Sequence, residues 1–471
     1  MRRTKIVCTI GPATASEEKL RQIIEAGADV MRLNFSHGTD AEHRETARRI
    51  RSVAAALGKP VAILQDLPGP KIRLGAFAEG VIQLSSGDRF TITTAEACGD
   101  QQRVSVNYPR LADEVQPGQT LLLDDGTIEL KIERVTPPEI QCRVVVGGAL
   151  SNHKGVAVPR GTLNVSAFTE QDRVHLLTGL EMGVDLAALS FVRSPADITA
   201  ARTFLEAQQA ELPLMAKIEK PEALDVFDEL LAVVDAVMIA RGDLGVELTP
   251  AEVPLVQKDL IPKVVQAAKP VVTATQMLRS MVDSPQPTRA EASDVANAVL
   301  DGTDAVMLSE ESAVGAYPVE AVRVLAQIAT VAEQRLIAQR ASAILSPQQN
   351  LGTSAAIGHA ACLLAYEAGA TAIICCTRTG RTAQLVAKYR PATPIIAVCR
   401  HEVTVRRLML TWGITPVFAN DFKSIDAMID AACEAARSTE LVASGDRVVI
   451  VGGAPSAPPG HTDFLRVATL S

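Results

Sequence analysis

Lys217 and Glu219 stand two residues apart in the apolar run "LMAKIEK". In an extended strand that spacing puts an ammonium and a carboxylate on one face. Comparable residues close other apolar runs. Arg32, Asn34 and Ser36 follow one another in "MRLNFSH", and Asp66 ends "VAILQD" with Lys71 and Arg73 just beyond it in "LPGPKIR". Arg241, Gly242 and Asp243 end a third run, Thr275 a fourth, and Ser309, Glu310 and Glu311 a fifth. Ionisable groups in buried strands are costly unless they pair, bind an ion or contact a ligand. A single one is explained by an ion pair, and for Arg73 that explanation carries equal weight. Several strands bearing such residues at the same end point instead to a shared functional rim.

The residue types narrow the chemistry. Glu219 and Asp243 are hard oxygen donors, suited to Mg²⁺ or Mn²⁺ bound jointly with substrate oxygens. The sequence has no cluster of histidines and cysteines, which argues against zinc. Arg32, Arg73 and Lys217 supply more positive charge than two carboxylates require. Surplus cations beside an acidic metal site suit phosphate, and specifically phosphoryl transfer. Neither a Walker GxxxxGK[ST] loop nor a GxGxxG fingerprint is present to explain phosphate handling. His37, followed by glycine, lacks a metal partner and reads as a turn or nucleotide contact.

Bringing these residues together requires a closed arrangement of strands. The runs "KIVCTI", "DVMRLNF", "VAILQDL", "DLAALSF", "LMAKIE", "AVMIARG", "VVTATQM" and "AVMLSEE" have the length and β-branched content of buried parallel strands. Amphipathic sequence follows them, as at Glu17 to Ala26 and Pro221 to Val233. Eight such units close a (β/α)₈ (TIM) barrel, whose sites form at the C-terminal strand ends; an open doubly wound sheet is the alternative. Across 68–167 the helical period disappears. "RFTITT", "TLLLDDGTIELKI" and "IQCRVVV" alternate with turn signals at Ser86-Gly87-Asp88, Pro117-Gly118 and Asp124-Asp125-Gly126. This predicts a small all-β domain inserted at the barrel mouth as a lid, with the barrel divided into 1–67 and 168–345. After the linker "ILSPQQNLG", residues 346–471 read as a doubly wound α/β domain with strands "TAIICC", "PIIAVC", "TPVFA" and "RVVIVGG".

Composition agrees with a soluble globular protein of two to four domains, for 471 residues exceed one compact core. A net charge of −8 argues against nucleic acid or an anionic membrane as partner, and 3% aromatics leave few stacking platforms for bases. The eight cysteines are scattered without a CxxC pair, the usage expected of reduced thiols in the cytoplasm. The opening "MRRTKIVCTIGP" has too short an apolar run for a signal peptide, and no stretch is long enough to span a bilayer.

Longer motifs carry a specific resemblance. "TKIVCTIGPAT", "MRLNFSHG", "GPKIR", "AKIEKPEAL", "ARGDLGVE", "ATQML", "PTRAEASDVANAVLDGTDAVMLS" and "YPVEAV" resemble the pyruvate kinases, in that family's order and over nearly the whole chain. The resemblance implies a catalytic barrel, an inserted β lid, a C-terminal regulatory domain and a homotetramer. It implies phosphoenolpyruvate and ADP as substrates, pyruvate and ATP as products. Lys217 would stabilise the phosphoryl group in flight, while Glu219 and Asp243 hold the divalent ion. Gly242 and Thr275 would cradle the substrate carboxylate, with Thr275 near the face where the enolate takes its proton. Arg32 and Arg73 would bind transferring phosphate and nucleotide, joined by Asn34, Phe35, Ser36 and His37 and by Lys154 of the lid.

Two further expectations follow. Many members of the family need K⁺, held by residues matching Asn34, Ser36, Asp66 and Leu67, and carry "DTKGPEIR". This chain has Leu67 for the threonine, Pro68 for the lysine and Lys71 for the glutamate. A fixed ammonium there replaces the charge of an ion, so K⁺ independence is expected; the alternative is that Lys71 only pairs with Asp66 or a lid carboxylate and the ion is still required. The loop "TRTGRT" (Thr377, Arg378, Thr379, Gly380, Arg381, Thr382) joins a strand to a helix N-terminus, a setting suited to phosphate. A plain N-cap explains these residues equally well; the resemblance implies a phosphorylated activator. Two other functions fit parts of the pattern, a metal-dependent enolate lyase and a metabolite sensor that has lost activity.

Overall fold

In the computed structural model, the structure describes residues 2–159, 161, 163–344, 352–420, 424–454 and 460–470. Eight parallel strands close a barrel: Lys5–Thr9, Val30–Asn34, Ala62–Asp66, Leu186–Leu189, Leu214–Ile218, Ala236–Ala240, Val271–Ala274 and Ala305–Leu308. They are the eight apolar runs, neighbours in the ring in chain order, with the first paired to the eighth. Closure rules out the open sheet. Both faces of each strand are covered, the inner by Val7, Leu64, Met215 and Met238, the outer by Ile6, Ile63 and Ile239 against the helices. That double burial explains the unbroken apolar runs.

Several helix starts near the mouth are pinned by reciprocal caps, Thr39 with Glu42, Thr169 with Asp172 and Thr288 with Glu291. Asp172 does more, for its Oδ1 also accepts from the Gly69 N–H at 3.1 Å. The Pro68-Gly69-Pro70 turn is thereby tied to the helix that re-enters the barrel. Gly69 has φ 62°, and a Cβ there would lie 3.1 Å from Ser190, so glycine is needed on both counts.

Between the third and fourth barrel strands the chain builds a six-stranded sheet and a two-stranded one, Val81–Leu84 with Gly148–Ser151. They enclose a core of their own that includes Phe90, Ile92, Leu121, Leu130 and Ile140. The run "TLLLDDGTIELKI" is a hairpin, Thr120–Leu123 and Ile128–Thr136, turning through Asp124, Asp125 and Gly126 at positive φ.

The C-terminal sheet has the anticipated four parallel strands, Ala372–Thr377, Ile395–Cys399, Ile414–Phe418 and Arg447–Gly452, with apolar clusters on both faces. A fifth strand, Phe464–Thr469, pairs antiparallel at the edge. The linker expected before this domain falls largely at 345–351, outside the described residues. Trp412 seals the joint with the barrel: its backbone N–H donates to Asp304 Oδ1 at 2.9 Å, and the guanidinium groups of Arg3 and Arg390 lie over its ring, 5.3 and 5.0 Å from the centroid.

Candidate active site

The C-terminal ends of the second to fifth strands converge on Lys217. Its ammonium donates to Ser190 Oγ at 2.7 Å and sits 2.8 Å from Glu219 Oε1 and 3.3 Å from Asp66 Oδ1. Arg32 completes the cluster, with Nε 2.6 Å from Asp66 Oδ2 and Nη1 2.8 Å from Thr9 Oγ1. Ser190 in turn donates to the Leu67 carbonyl at 2.7 Å, and the Phe191 N–H donates to Glu219 Oε2 at 2.7 Å. Asp66 and Glu219 are each 1% exposed, so their charges are retained by partners and not by water.

The protonation states follow from this wiring. Burial opposes the charge of Asp66, but Arg32 and Lys217 outweigh it and hold the carboxyl below its ordinary value. Burial likewise opposes the charge of Lys217, and Asp66 with Glu219 reverses the effect, raising it above an ordinary lysine. Glu219 goes the other way: burial, which Lys217 only partly counters and the Asp243 charge reinforces, lifts it above an ordinary glutamate. A second cation beside Glu219 and Asp243 would relieve that cost.

Among the described residues no group of three or more histidines, cysteines and carboxylates forms a metal cage. Glu219 and Asp243 line one cleft between the barrel mouth and the inserted domain, together with Lys71, Phe191 and Asp125. Two carboxylates there fit an octahedral oxygen-loving ion that completes its shell with substrate and water oxygens. Lys71, held by the stiff turn, reaches Asp243: Nζ lies 3.7 Å from Oδ1, and Asp66 is taken by Arg32 and Lys217.

On the far side of the cleft the short helix Arg241–Glu247 begins at the sixth strand. The Gly242 N–H donates to Thr275 Oγ1 at 2.7 Å. A Cβ on Gly242 would stand 3.4 Å from that hydroxyl, so the backbone of Gly242 and the Thr275 side chain are in direct contact.

The other anticipated residues are placed less uniformly. His37 lies near Arg73, Arg32 and Lys71, and burial first, then those cations, keep its imidazole below the ordinary histidine value. Asn34 Oδ1 accepts from the Ser36 N–H at 3.2 Å, closing a tight turn. The Phe35 ring is buried, stacked 4.0 Å from His43 and edge-on to His175, so it forms the wall beneath that turn. Arg73 and Lys154 belong to the inserted domain's edge: Arg73 Nη1 donates to the His153 carbonyl at 3.1 Å, and Lys154 Nζ pairs with Asp124 at 2.8 Å. Leu67 is buried.

Ser309, Glu310 and Glu311 stand apart from the cluster. Glu310 pairs with Arg279, and Glu311 accepts from the N–H groups of Leu278 and Ser309, which holds the eighth strand's exit. In the C-terminal loop, Gly380 N–H donates to Thr377 Oγ1 at 2.9 Å. Arg381, however, turns toward the barrel and donates to the carbonyls of Ala268 (2.6 Å) and Ala267 (3.1 Å), while Thr382 is buried against Thr462 at 2.8 Å. Thr379 is exposed and Arg378, like Arg381, is half-buried, but Arg378 does not turn to the barrel.

Ser190 escaped the reading of the sequence. Its position at the end of the fourth strand, "LAALSF", marked it, but a serine there carries no charge to attract notice. Arg241 was noticed only as part of a motif; its partner Asp294 lies 53 residues away on another helix.

Comparison with known proteins extends the likeness along the chain. A family model described as the pyruvate kinase barrel domain matches residues 1–322, and one for the pyruvate kinase alpha/beta domain matches 355–468. Pyruvate kinase 2 of Synechocystis sp. is 48% identical over 474 residues, covering 100% of this chain and 79% of that protein. The pyruvate kinase of Geobacillus stearothermophilus is 46% identical over 473 residues, covering 100% and 81%. A crystal structure of a pyruvate kinase from Cryptosporidium parvum superposes with a TM-score of 0.93 at 34% identity, covering 100% of this chain and 96% of that one.

Proposed function

The chain belongs to the pyruvate kinase family, and on that premise we propose that it moves the phosphoryl group of phosphoenolpyruvate to ADP, with Mg²⁺ or Mn²⁺ held by Glu219 and Asp243. The observation that carries this reading is the Lys217 ammonium, fixed by Asp66, Glu219 and Ser190 at once. A cation with three acceptors pays little reorganisation as negative charge passes between oxygens, which is how preorganised electrostatics lowers such a barrier. Arg32, clamped to Asp66 and Thr9, presents a second fixed positive charge beside it. An ion held by Glu219 and Asp243 would supply Lewis-acid polarisation of substrate oxygens.

Gly242 and Thr275 receive the substrate carboxylate. In this reading the Gly242 N–H, which donates to Thr275 Oγ1 in the free protein, turns to the incoming acid, and Thr275 serves beside the carbon that is protonated. Arg73, Lys154 and the Asn34 to His37 turn take the nucleotide when the inserted domain closes as a lid. Lys154 must then leave Asp124.

Lys71 supports a reaction without K⁺. Its ammonium occupies the edge of the cleft where the corresponding residue of K⁺-requiring relatives is acidic, and it reaches a carboxylate of the divalent site. A phosphorylated metabolite acting at Thr377 to Thr382 is the proposed activator, with Arg378 and Thr379 as its contacts. A cytoplasmic homotetramer is the proposed assembly; among the described residues no helix is long and apolar enough to cross a membrane.

A steady-state assay with phosphoenolpyruvate, ADP and Mg²⁺, following pyruvate and ATP together, tests the reading. Equal formation of both is expected. Consumption of phosphoenolpyruvate without ATP would favour an enolate lyase, and binding without turnover a sensor.

A further inference from the structure

We propose that Arg241 is a positioning residue for this reaction, holding Thr275 and the Gly242 N–H in the geometry that receives the three-carbon acid; the inference rests on the kinase reading above. Arg241 opens the helix that bears Gly242 and Asp243, and its side chain runs back beneath the end of the seventh strand. The guanidinium donates to the carbonyls of Ala274 (Nε, 3.3 Å) and Thr275 (Nη2, 2.8 Å). It also meets both carboxylate oxygens of Asp294 at 2.7 Å, with Gln257 Oε1 at 3.2 Å and Met277 Sδ at 2.8 Å alongside. One planar fork thus joins the seventh strand, the short helix and the helix Arg289–Asp301.

What it holds is unusual. Thr275 and Gln276 have φ of 71° and 56°, a left-handed backbone that a β-branched residue rarely adopts. Such conformations persist only where neighbours over-determine them. Relaxation to an extended backbone would swing the Thr275 carbonyl, the group that Arg241 Nη2 engages. In the strained form Thr275 Oγ1 accepts from Gly242 N–H at 2.7 Å and donates to the Ala274 carbonyl at 2.6 Å. The hydroxyl therefore sits between the same two elements that Arg241 clamps. At its far end the short helix is secured independently by the Lys220–Glu247 ion pair. Loss of Arg241 frees the end that carries Gly242 and leaves the other anchored.

A lysine cannot replace the fork, since a point charge reaches one acceptor where the guanidinium reaches several. The test is a double-mutant cycle with Arg241→Lys and Thr275→Ala, with thermal unfolding measured alongside. Arg241→Lys is expected to lower kcat/KM for phosphoenolpyruvate about 100-fold, with KM for ADP held within about twofold, because a misplacement near 1 Å costs that much. In the Thr275→Ala background the same change should cost less than about threefold, the non-additivity expected of residues acting as one unit. Multiplicative losses in the double variant, or matching losses for both substrates with a lowered Tm, overturn the proposal. If Arg241→Lys does not fold, Asp294→Asn takes its place in the cycle, and additivity with Thr275→Ala overturns the proposal in the same way. Failure of the unaltered protein to make pyruvate and ATP would sink the kinase reading itself, and needs no variant to detect.

Discussion

The Lys71 ammonium stands 3.7 Å from Asp243 Oδ1, the carboxylate that lines the same cleft as Glu219. The Pro68-Gly69-Pro70 turn, tied to Asp172 and pressed on Ser190, points the side chain that way. Each oxygen of Asp66 already carries a cationic partner, Oδ2 from Arg32 and Oδ1 from Lys217. A cation that could stand in for K⁺ thus also touches a carboxylate assigned to the divalent ion, and the two must share it.

That sharing predicts a measurable competition. The pair is about one-third exposed, which limits it to roughly 1 kcal/mol or less. Lys71→Met should therefore tighten Mn²⁺ binding to the free protein by up to about fivefold, read by Mn²⁺ titration. Asp243→Asn should weaken the same binding and nearly abolish turnover. In a tetramethylammonium buffer the unaltered enzyme should gain little from KCl, whereas Lys71→Glu, with Leu67→Thr if needed, should acquire a K⁺ requirement. Strong K⁺ activation of the unaltered enzyme would defeat the substitution idea.

Lys217→Met should separate binding from chemistry. Turnover is expected to fall about 1,000-fold while affinity for phosphoenolpyruvate changes far less, since the ammonium acts mainly on charge that develops in transfer. The same change strips two buried carboxylates of their shared cation, so stability should fall by about 3–5 kcal/mol. Added Mg²⁺ should restore part of the lost Tm. Equal losses in affinity and turnover would count against the assigned role.

Asp66 gives a stability profile with a definite sign. Its carboxyl lies below the ordinary 3.8 when folded, so between the two values the unfolded chain binds more protons and stability rises with pH. The contribution is complete above the ordinary value and disappears as pH falls through the folded one. The Tm gap between the unaltered protein and Asp66→Asn should be widest above about pH 5 and shrink toward about pH 3. A gap constant across that window would mean that the Arg32 and Lys217 contacts do not hold the charge.

The loop at Thr377 to Thr382 calls for a divided test. Arg381 bonds the end of the barrel helix Val253–Gln266 through Ala267 and Ala268, and Thr382 packs on Thr462. Arg381→Ala should therefore change the KM for phosphoenolpyruvate without any effector present. Arg378→Ala with Thr379→Ala should leave that basal KM alone and remove activation by a sugar phosphate or nucleotide monophosphate. Full activation of that double variant would move the effector elsewhere.

Much of this protein was legible from the order of its residues. The barrel strands lie under helices on one face and inner side chains on the other, so each is a continuous apolar run, and "LMAKIE" or "AVMIARG" announces itself. Parallel strands in a closed ring put their C-terminal ends on one rim, which is why Arg32, Asp66, Lys217, Glu219, Asp243 and Thr275 could be grouped before any distance was known. The edge strand Phe464–Thr469 was hidden for the opposite reason: no residue in it is fully buried, and its pairing rests on backbone bonds that side chains do not encode. Which partner a long cation takes was hidden as well. Lys71 could have met Asp66 or Asp243, and Arg381 an effector or the barrel; each side chain spans several rotatable bonds, and its free energy differs little among acceptors within reach. The stiff Pro68-Gly69-Pro70 turn decides the first choice and the docking of the C-terminal domain on the barrel decides the second. Both depend on atoms far apart in sequence, so only the folded chain could settle them.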